Sequence, residues 1–240
     1  MNEVTFDWSL NYFLFGLYPY IALSVFVIGS WIRFDREQYG WTSASSQILS
    51  TANMRLASNL FHIGVIGIFF GHLIGLLAPF AIWHTIGLSS LGKQSIAMYG
   101  GGFLGVLAMI GGLMLLSRRL TNRRVRATSR TSDIFILVWV LVTLFFGLAT
   151  TFTTFHHAAE GSADTMMSLA QWAKSIVLFD AKPELVAKVE PVFQIHLALG
   201  LTLFLLFPFT RLVHIWSFPI GYLTRSYQIV RTKRNLPIAR

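Results

Sequence analysis

Five stretches of this chain, residues 13–31, 56–77, 96–116, 134–152 and 192–216, are long and apolar enough to cross a lipid bilayer. A helix needs about 20 mostly apolar residues to span the hydrocarbon core. Lipid offers no water to an open backbone amide, so each span must satisfy its own N–H and C=O groups and is expected to be helical. Only 12% of residues are charged, against roughly 25% in soluble domains. The expected fold class is all-α: a polytopic membrane bundle of five transmembrane helices, forming one domain over residues 1–240 without internal repeat. The first run follows no basic segment, its early charges being Glu3 and Asp7. It is also too long for a signal-peptide core, so it reads as a retained span.

The basic residues set an orientation. Fifteen of the nineteen Lys and Arg residues fall in three places: 33–55, 118–130 and 211–240. Only Lys93, Lys174, Lys182 and Lys188 lie on the other side. Positive loops stay in the cytoplasm, which puts the N-terminus outside and the C-terminus in the cytoplasm. The net charge of +9 is therefore a topology signal, with no nucleic acid implied. In the long outer loop, residues 164–179 carry apolar side chains at helical spacing and predict an amphipathic helix on the outer leaflet or over the bundle. The tail after Ser217 is basic, and suits anionic lipid headgroups or a cytoplasmic partner.

Four histidines sit inside the apolar runs as two spaced pairs. His62 and His72 are ten residues apart in the second run, and His196 and His214 eighteen apart in the fifth. An ionisable side chain at membrane depth is costly and marks function by default. The second and fifth spans run antiparallel, so His62 faces His214 near the cytoplasm and His72 faces His196 near the exterior. Two imidazoles on each of two helices can hold two haems, one above the other, which would make the chain an electron conduit. It has no cysteine. Covalent c-type haem and thiolate-held clusters are thereby excluded, so any haem is bound non-covalently, with histidine and methionine as the obvious ligands, and any iron–sulfur relay sits on another chain.

Rival readings remain at this point. One is a dihaem quinone-linked anchor of a formate dehydrogenase, hydrogenase or sulfur-cycle reductase. Another is a haem-free proton-coupled transporter with a histidine relay. On an unbroken helix, His196 and His214 would share a face ~27 Å apart, whereas His62 and His72 would be ~15 Å apart and ~80° out of phase. A kink at Pro208 would absorb part of that mismatch. Gly200, one turn from His196, either admits a flat macrocycle or serves helix packing. Arg211 pairs either with a haem propionate or with lipid phosphate. The glycine stripe Gly64, Gly67, Gly71, Gly75 and the glycines of the third span suggest close helix contact. His84, His156 and His157 read as interfacial.

Several blocks carry a resemblance over nearly the whole chain. They include Tyr18-Pro19-Tyr20-Ile21, Gly29-Ser30-Trp31, Ser45-Ser46-Gln47, Ala57 through Gly64, Gly71-His72 and Arg124 through Thr128. The run from His196-Leu197 and Gly200 through Phe207-Pro208-Phe209 to His214-Ile215-Trp216-Ser217 is the most specific. Together they resemble the gamma (cytochrome b) subunit of respiratory nitrate reductase. The resemblance implies two b haems with axial pairs His62–His214 and His72–His196. It also implies a site for quinol (menaquinol or ubiquinol) at Gly71, His72 and Lys93. From the residue alone, Lys93 is equally a snorkelling interfacial lysine. The implied location is a bacterial cytoplasmic membrane. The implied partners are a cytoplasmic iron–sulfur beta subunit and a molybdenum alpha subunit that reduces nitrate to nitrite in anaerobic respiration. This chain would do no nitrate chemistry itself.

Overall fold

The computed structural model describes residues 8–37 and 53–217. The basic tail after Ser217, and with it that docking expectation, lies outside the described residues, as does the block around Ser45-Ser46-Gln47. Every regular element among the described residues is helical. In chain order these are α1 (Trp8–Tyr12), a π turn (Phe13–Leu17), α2 (Tyr18–Glu37), α3 (Met54–Leu77), α4 (Phe80–Thr85) and α5 (Ser90–Thr121). Then come α6 (Arg123–Thr128), α7 (Thr131–Ala159), α8 (Asp164–Val177), α9 (Glu184–Ala187), α10 (Pro191–Leu206) and two 3-10 segments, Phe207–Phe209 and Arg211–Ser217.

Five helices are long and apolar enough to cross a membrane: Leu10–Glu37, Met54–Leu77, Ser90–Thr121, Thr131–Ala159 and Pro191–Phe209. Each coincides with one of the five apolar runs. The helix of the third span starts ahead of its run, at a local cap. The Ser89 hydroxyl accepts the Gly92 amide at 3.1 Å and starts α5. Asn122 Oδ1 accepts the amides of Arg124 and Val125, so the basic turn between the third and fourth spans is itself the helix α6. Side-chain acceptors of this kind satisfy amides that a helix start leaves open.

The spans pack in the order α3, α5, α7, α10, α2. The α3–α5 contact is the most intimate, because glycine lets the two backbones meet. A Cβ on Gly64 would stand 2.5 Å from the Leu104 carbonyl oxygen, and one on Gly111 would stand 2.7 Å from the Ala57 carbonyl oxygen. Gly111→Ala must therefore push two backbones apart and should cost about 1–3 kcal/mol. Thermal unfolding in detergent checks this, and an unchanged midpoint would contradict the close contact. Gly71 and Gly75, in the second half of the same stripe, meet nothing within 4 Å. That half of the stripe is not a packing seam.

The fifth span is broken, which corrects the single helix expected over 192–216. Pro208 has no amide to donate and cannot continue an α-helix without a clash. The chain tightens to 3-10 geometry at Phe207–Phe209 and turns extended at Thr210 (φ −121°, ψ 178°). Thr210 Oγ1 then accepts the Leu212 amide at 3.4 Å, opening the second 3-10 segment. Carbonyls released by the break are answered from the first span. Arg33 Nη1 donates to the Pro208 oxygen at 2.7 Å and the Thr210 oxygen at 3.1 Å. In a low-dielectric setting an open carbonyl would be expensive.

The expected amphipathic helix is α8, and it covers one end of the bundle. Trp172 Nε1 donates to the Phe15 carbonyl oxygen in the π turn of the first span at 2.8 Å. Trp172 and Ile176 pack with Phe15, Val186, Val189 and Phe193 into a buried cluster. This ties α8 to the first and fifth spans, and α8 also packs on α3 and α9.

Candidate functional site

The four histidines converge as two pairs. The ring centres of His62 and His214 are 6.4 Å apart with planes at 79°. Those of His72 and His196 are 6.0 Å apart with planes at 45°. A metal–imidazole bond is about 2.0–2.1 Å and the ring centre lies roughly 1.2 Å behind its nitrogen, so two imidazoles on opposite sides of one ion have centres roughly 6.3 Å apart. Both observed separations match that value.

Each of the four rings has its Nδ1 against a backbone carbonyl. His62 meets the Ser58 oxygen at 2.7 Å, His72 the Ile68 oxygen at 2.9 Å, His196 the Thr143 oxygen at 3.0 Å and His214 the Arg211 oxygen at 2.5 Å. A carbonyl only accepts, so Nδ1 carries the proton in all four rings and donates it. Nε2 is left as a lone-pair donor, which is the state a metal ligand needs. A proton relay would need the opposite freedom, with nitrogens able to exchange protons.

The donor set separates haem from a bare metal ion. Among the described residues, no group of three or more His, Cys, Asp or Glu gathers. Protein zinc sites take three or four side-chain ligands. Two opposed imidazoles alone suit an ion whose remaining in-plane ligands come from a macrocycle. There is also room for a flat ligand. His62 and His72 are exposed on the side of α3, and a Cβ at Gly71, Gly75 or Gly200 would meet nothing within 4 Å. Gly200 is thus not used for helix packing. The residues present fit haem.

The break in the fifth span resolves the mismatch of vertical spacing. His196 sits on α10, whereas His214 sits on the separate 3-10 segment beyond Thr210. The eighteen-residue gap is not one straight helix, and both pairs close within half an ångström of each other in separation.

Supporting residues come from α7, which sequence reasoning passed over. Thr143 supplies the carbonyl that orients His196. Gly147 lies one turn on, and a Cβ there would stand 2.9 Å from His196 Cε1. At the other end of α7, Asp133 is 8% exposed. Its carboxylate meets Arg211 Nε at 3.1 Å and Arg119 Nη1 at 3.9 Å. Arg211 therefore pairs with a protein carboxylate, and its backbone carbonyl orients His214. One signal was available: Asp133 is the sole acidic residue between Glu37 and Glu160.

Lys93 is not a snorkelling lysine. It is 5% exposed, and its Nζ has no hydrogen-bond partner. The ammonium lies 4.6 Å from the ring centre of Phe80 and 5.3 Å from that of Trp83. Of the loop histidines, His157 is tied to Glu190 at 2.7 Å, joining the ends of α7 and α10.

Fold and site define a protein of five membrane-length helices that presents two opposed imidazole pairs with fixed tautomers. The chain belongs to the nitrate reductase gamma subunit family, whose model matches residues 11–233. It is 51% identical to respiratory nitrate reductase 2 gamma chain of Escherichia coli strain K12, an alignment covering 94% of this chain and 98% of that one. It is 50% identical to respiratory nitrate reductase 1 gamma chain of the same strain, over 93% and 98% of the two chains. The nitrate reductase gamma chain of Bacillus subtilis strain 168 is 36% identical, over 92% and 97%.

Proposed function

We propose that the protein is the membrane cytochrome b subunit of a respiratory nitrate reductase. It oxidises quinol near the outer membrane face and delivers electrons to a cytoplasmic iron–sulfur subunit, with nitrate reduced on a molybdenum subunit. The observation that carries this reading is the pair of imidazole couples at iron-spanning separation, all four with Nδ1 held by carbonyls. When bound, two b haems would supply one-electron transfer between an outer and an inner position. Two axial imidazoles leave no open coordination site, which suits electron transfer rather than oxygen binding.

The chain's own residues then have distinct tasks. His72 and His196 hold the outer group and His62 and His214 the inner one. The Ile68, Thr143, Ser58 and Arg211 carbonyls fix ring tautomer and orientation, which also raises ligand basicity. Arg211, beside His214, would meet an inner propionate through the guanidinium nitrogens that Asp133 does not engage. Gly71, preceding His72, leaves open space for a quinol headgroup. Lys93, with no acceptor of its own among the described residues, donates to a quinol oxygen and favours its deprotonation. The quinol's two protons leave outward and its two electrons leave inward, so turnover separates charge across the membrane.

Lys93→Ala tests the quinol site. A hydrogen bond to a charged group is worth about 1.5–3 kcal/mol, so affinity for a quinol analogue should fall roughly tenfold or more. Both haem spectra should be retained. Unchanged affinity in calorimetric titration of the complex would remove Lys93 from the site.

A further inference from the structure

A second lysine reaches the same aromatic ring as Lys93. Lys174 Nζ lies 4.4 Å from the ring centre of Phe80, where Lys93 Nζ lies at 4.6 Å. Three elements build this convergence: Phe80 and Trp83 from α4, Lys93 from α5 and Lys174 from α8. The position of α8 is fixed independently by the Trp172 bond to Phe15 and by its contacts with α3, the helix that carries His72. Lys182, further along the chain, pairs with Asp180 at 3.1 Å. Among the described residues no such ion pair forms at Lys93 or Lys174. Trp83 Nε1 is also buried with no acceptor.

Two ammoniums at one ring repel each other, and the ring face offsets that only in part. A buried cation without an acceptor is costly, and the cost falls when an anion or strong acceptor arrives. Phe80 and Trp83 supply apolar walls for an aromatic headgroup, and the Trp83 indole supplies a further donor. A neutral quinone carbonyl gains less from two cations than an ionised hydroxyl does.

Building on the quinol reading of Lys93, we propose that Lys174 is a second quinol-recognition residue. With Lys93 it makes a two-ammonium site at Phe80 that selects the ionised oxygen of the hydroquinone headgroup. The selectivity lies in charge: Lys174 discriminates an oxyanion from its neutral counterpart, while the aromatic walls bind both.

The test is calorimetric titration of the solubilised complex with a dibrominated alkylphenol, ionised at assay pH, and with its methyl ether as the neutral counterpart. Lys174→Met should weaken phenolate binding about tenfold and leave the ether within about twofold. Lys174→Arg should restore most of the phenolate affinity, and haem content should be unchanged in both variants. Equal loss of phenolate and ether in Lys174→Met would mean that Lys174 only seats α8, and would overturn the proposal. Wild-type phenolate affinity in Lys174→Met beside weakened binding in Lys93→Ala would overturn it while leaving the quinol site at Lys93. Wild-type phenolate affinity in Lys93→Ala would remove the quinol reading and this proposal together.

Discussion

His62→Ala and His214→Ala should each lower the haem content of the purified complex, from the proposed two b haems per chain to one, and the haem lost should be the same in both. The rings are 6.4 Å apart between centres, so a single iron would be held by both and lost when either is removed. His72→Ala and His196→Ala should remove the other haem, by the same argument from a 6.0 Å separation. The four single variants thus sort into two spectral classes, paired across helices rather than within them. Optical redox titration of each variant reads this directly. Loss of one common haem in His62→Ala and His196→Ala would contradict the cross-pairing.

Gly147→Val is the second large effect, and it is expected without touching a ligand. Even a Cβ at this position would lie 2.9 Å from His196 Cε1 and 3.4 Å from its Nδ1. The branched side chain must push the ring from the Thr143 carbonyl that sets its tautomer. Disturbing an outer-shell partner typically weakens metal binding about 10- to 100-fold. A haem held by His72 and His196 should therefore be lost or shifted in potential, while the His62–His214 signal remains. An unaltered outer haem spectrum and midpoint would show that α7 does not position His196.

The five spans and the cross-pairing were legible because they rest on long-range regularities. Twenty apolar residues mean a span, and antiparallel neighbours fix which histidine meets which. The Asp164–Val177 helix was legible for the same reason, from apolar side chains at helical spacing. Features set by a single meeting of side chain and backbone were hidden. Pro208 signalled a kink, but the extended turn at Thr210 depends on Arg33 answering two carbonyls from 175 and 177 residues away. The glycine stripe on α3 was one pattern in sequence and two environments in space. Gly64 is pressed on the α5 backbone, and Gly71 stands in the open. For Lys93, at the outer end of the third span, the sequence left a quinol contact and a snorkelling lysine both open, whereas in space Phe80 and Trp83 enclose it from another helix. Gly147 gave no signal at all, since its role exists only opposite His196.

The most direct measurement of the central claim is a haem-to-protein ratio combined with a redox-titrated absorbance spectrum of the intact complex. The opposed imidazole pairs predict two low-spin b haems per chain, with two resolved midpoints. A well-folded preparation holding one haem per chain, or none, would contradict the assignment of His62, His72, His196 and His214 as axial ligands.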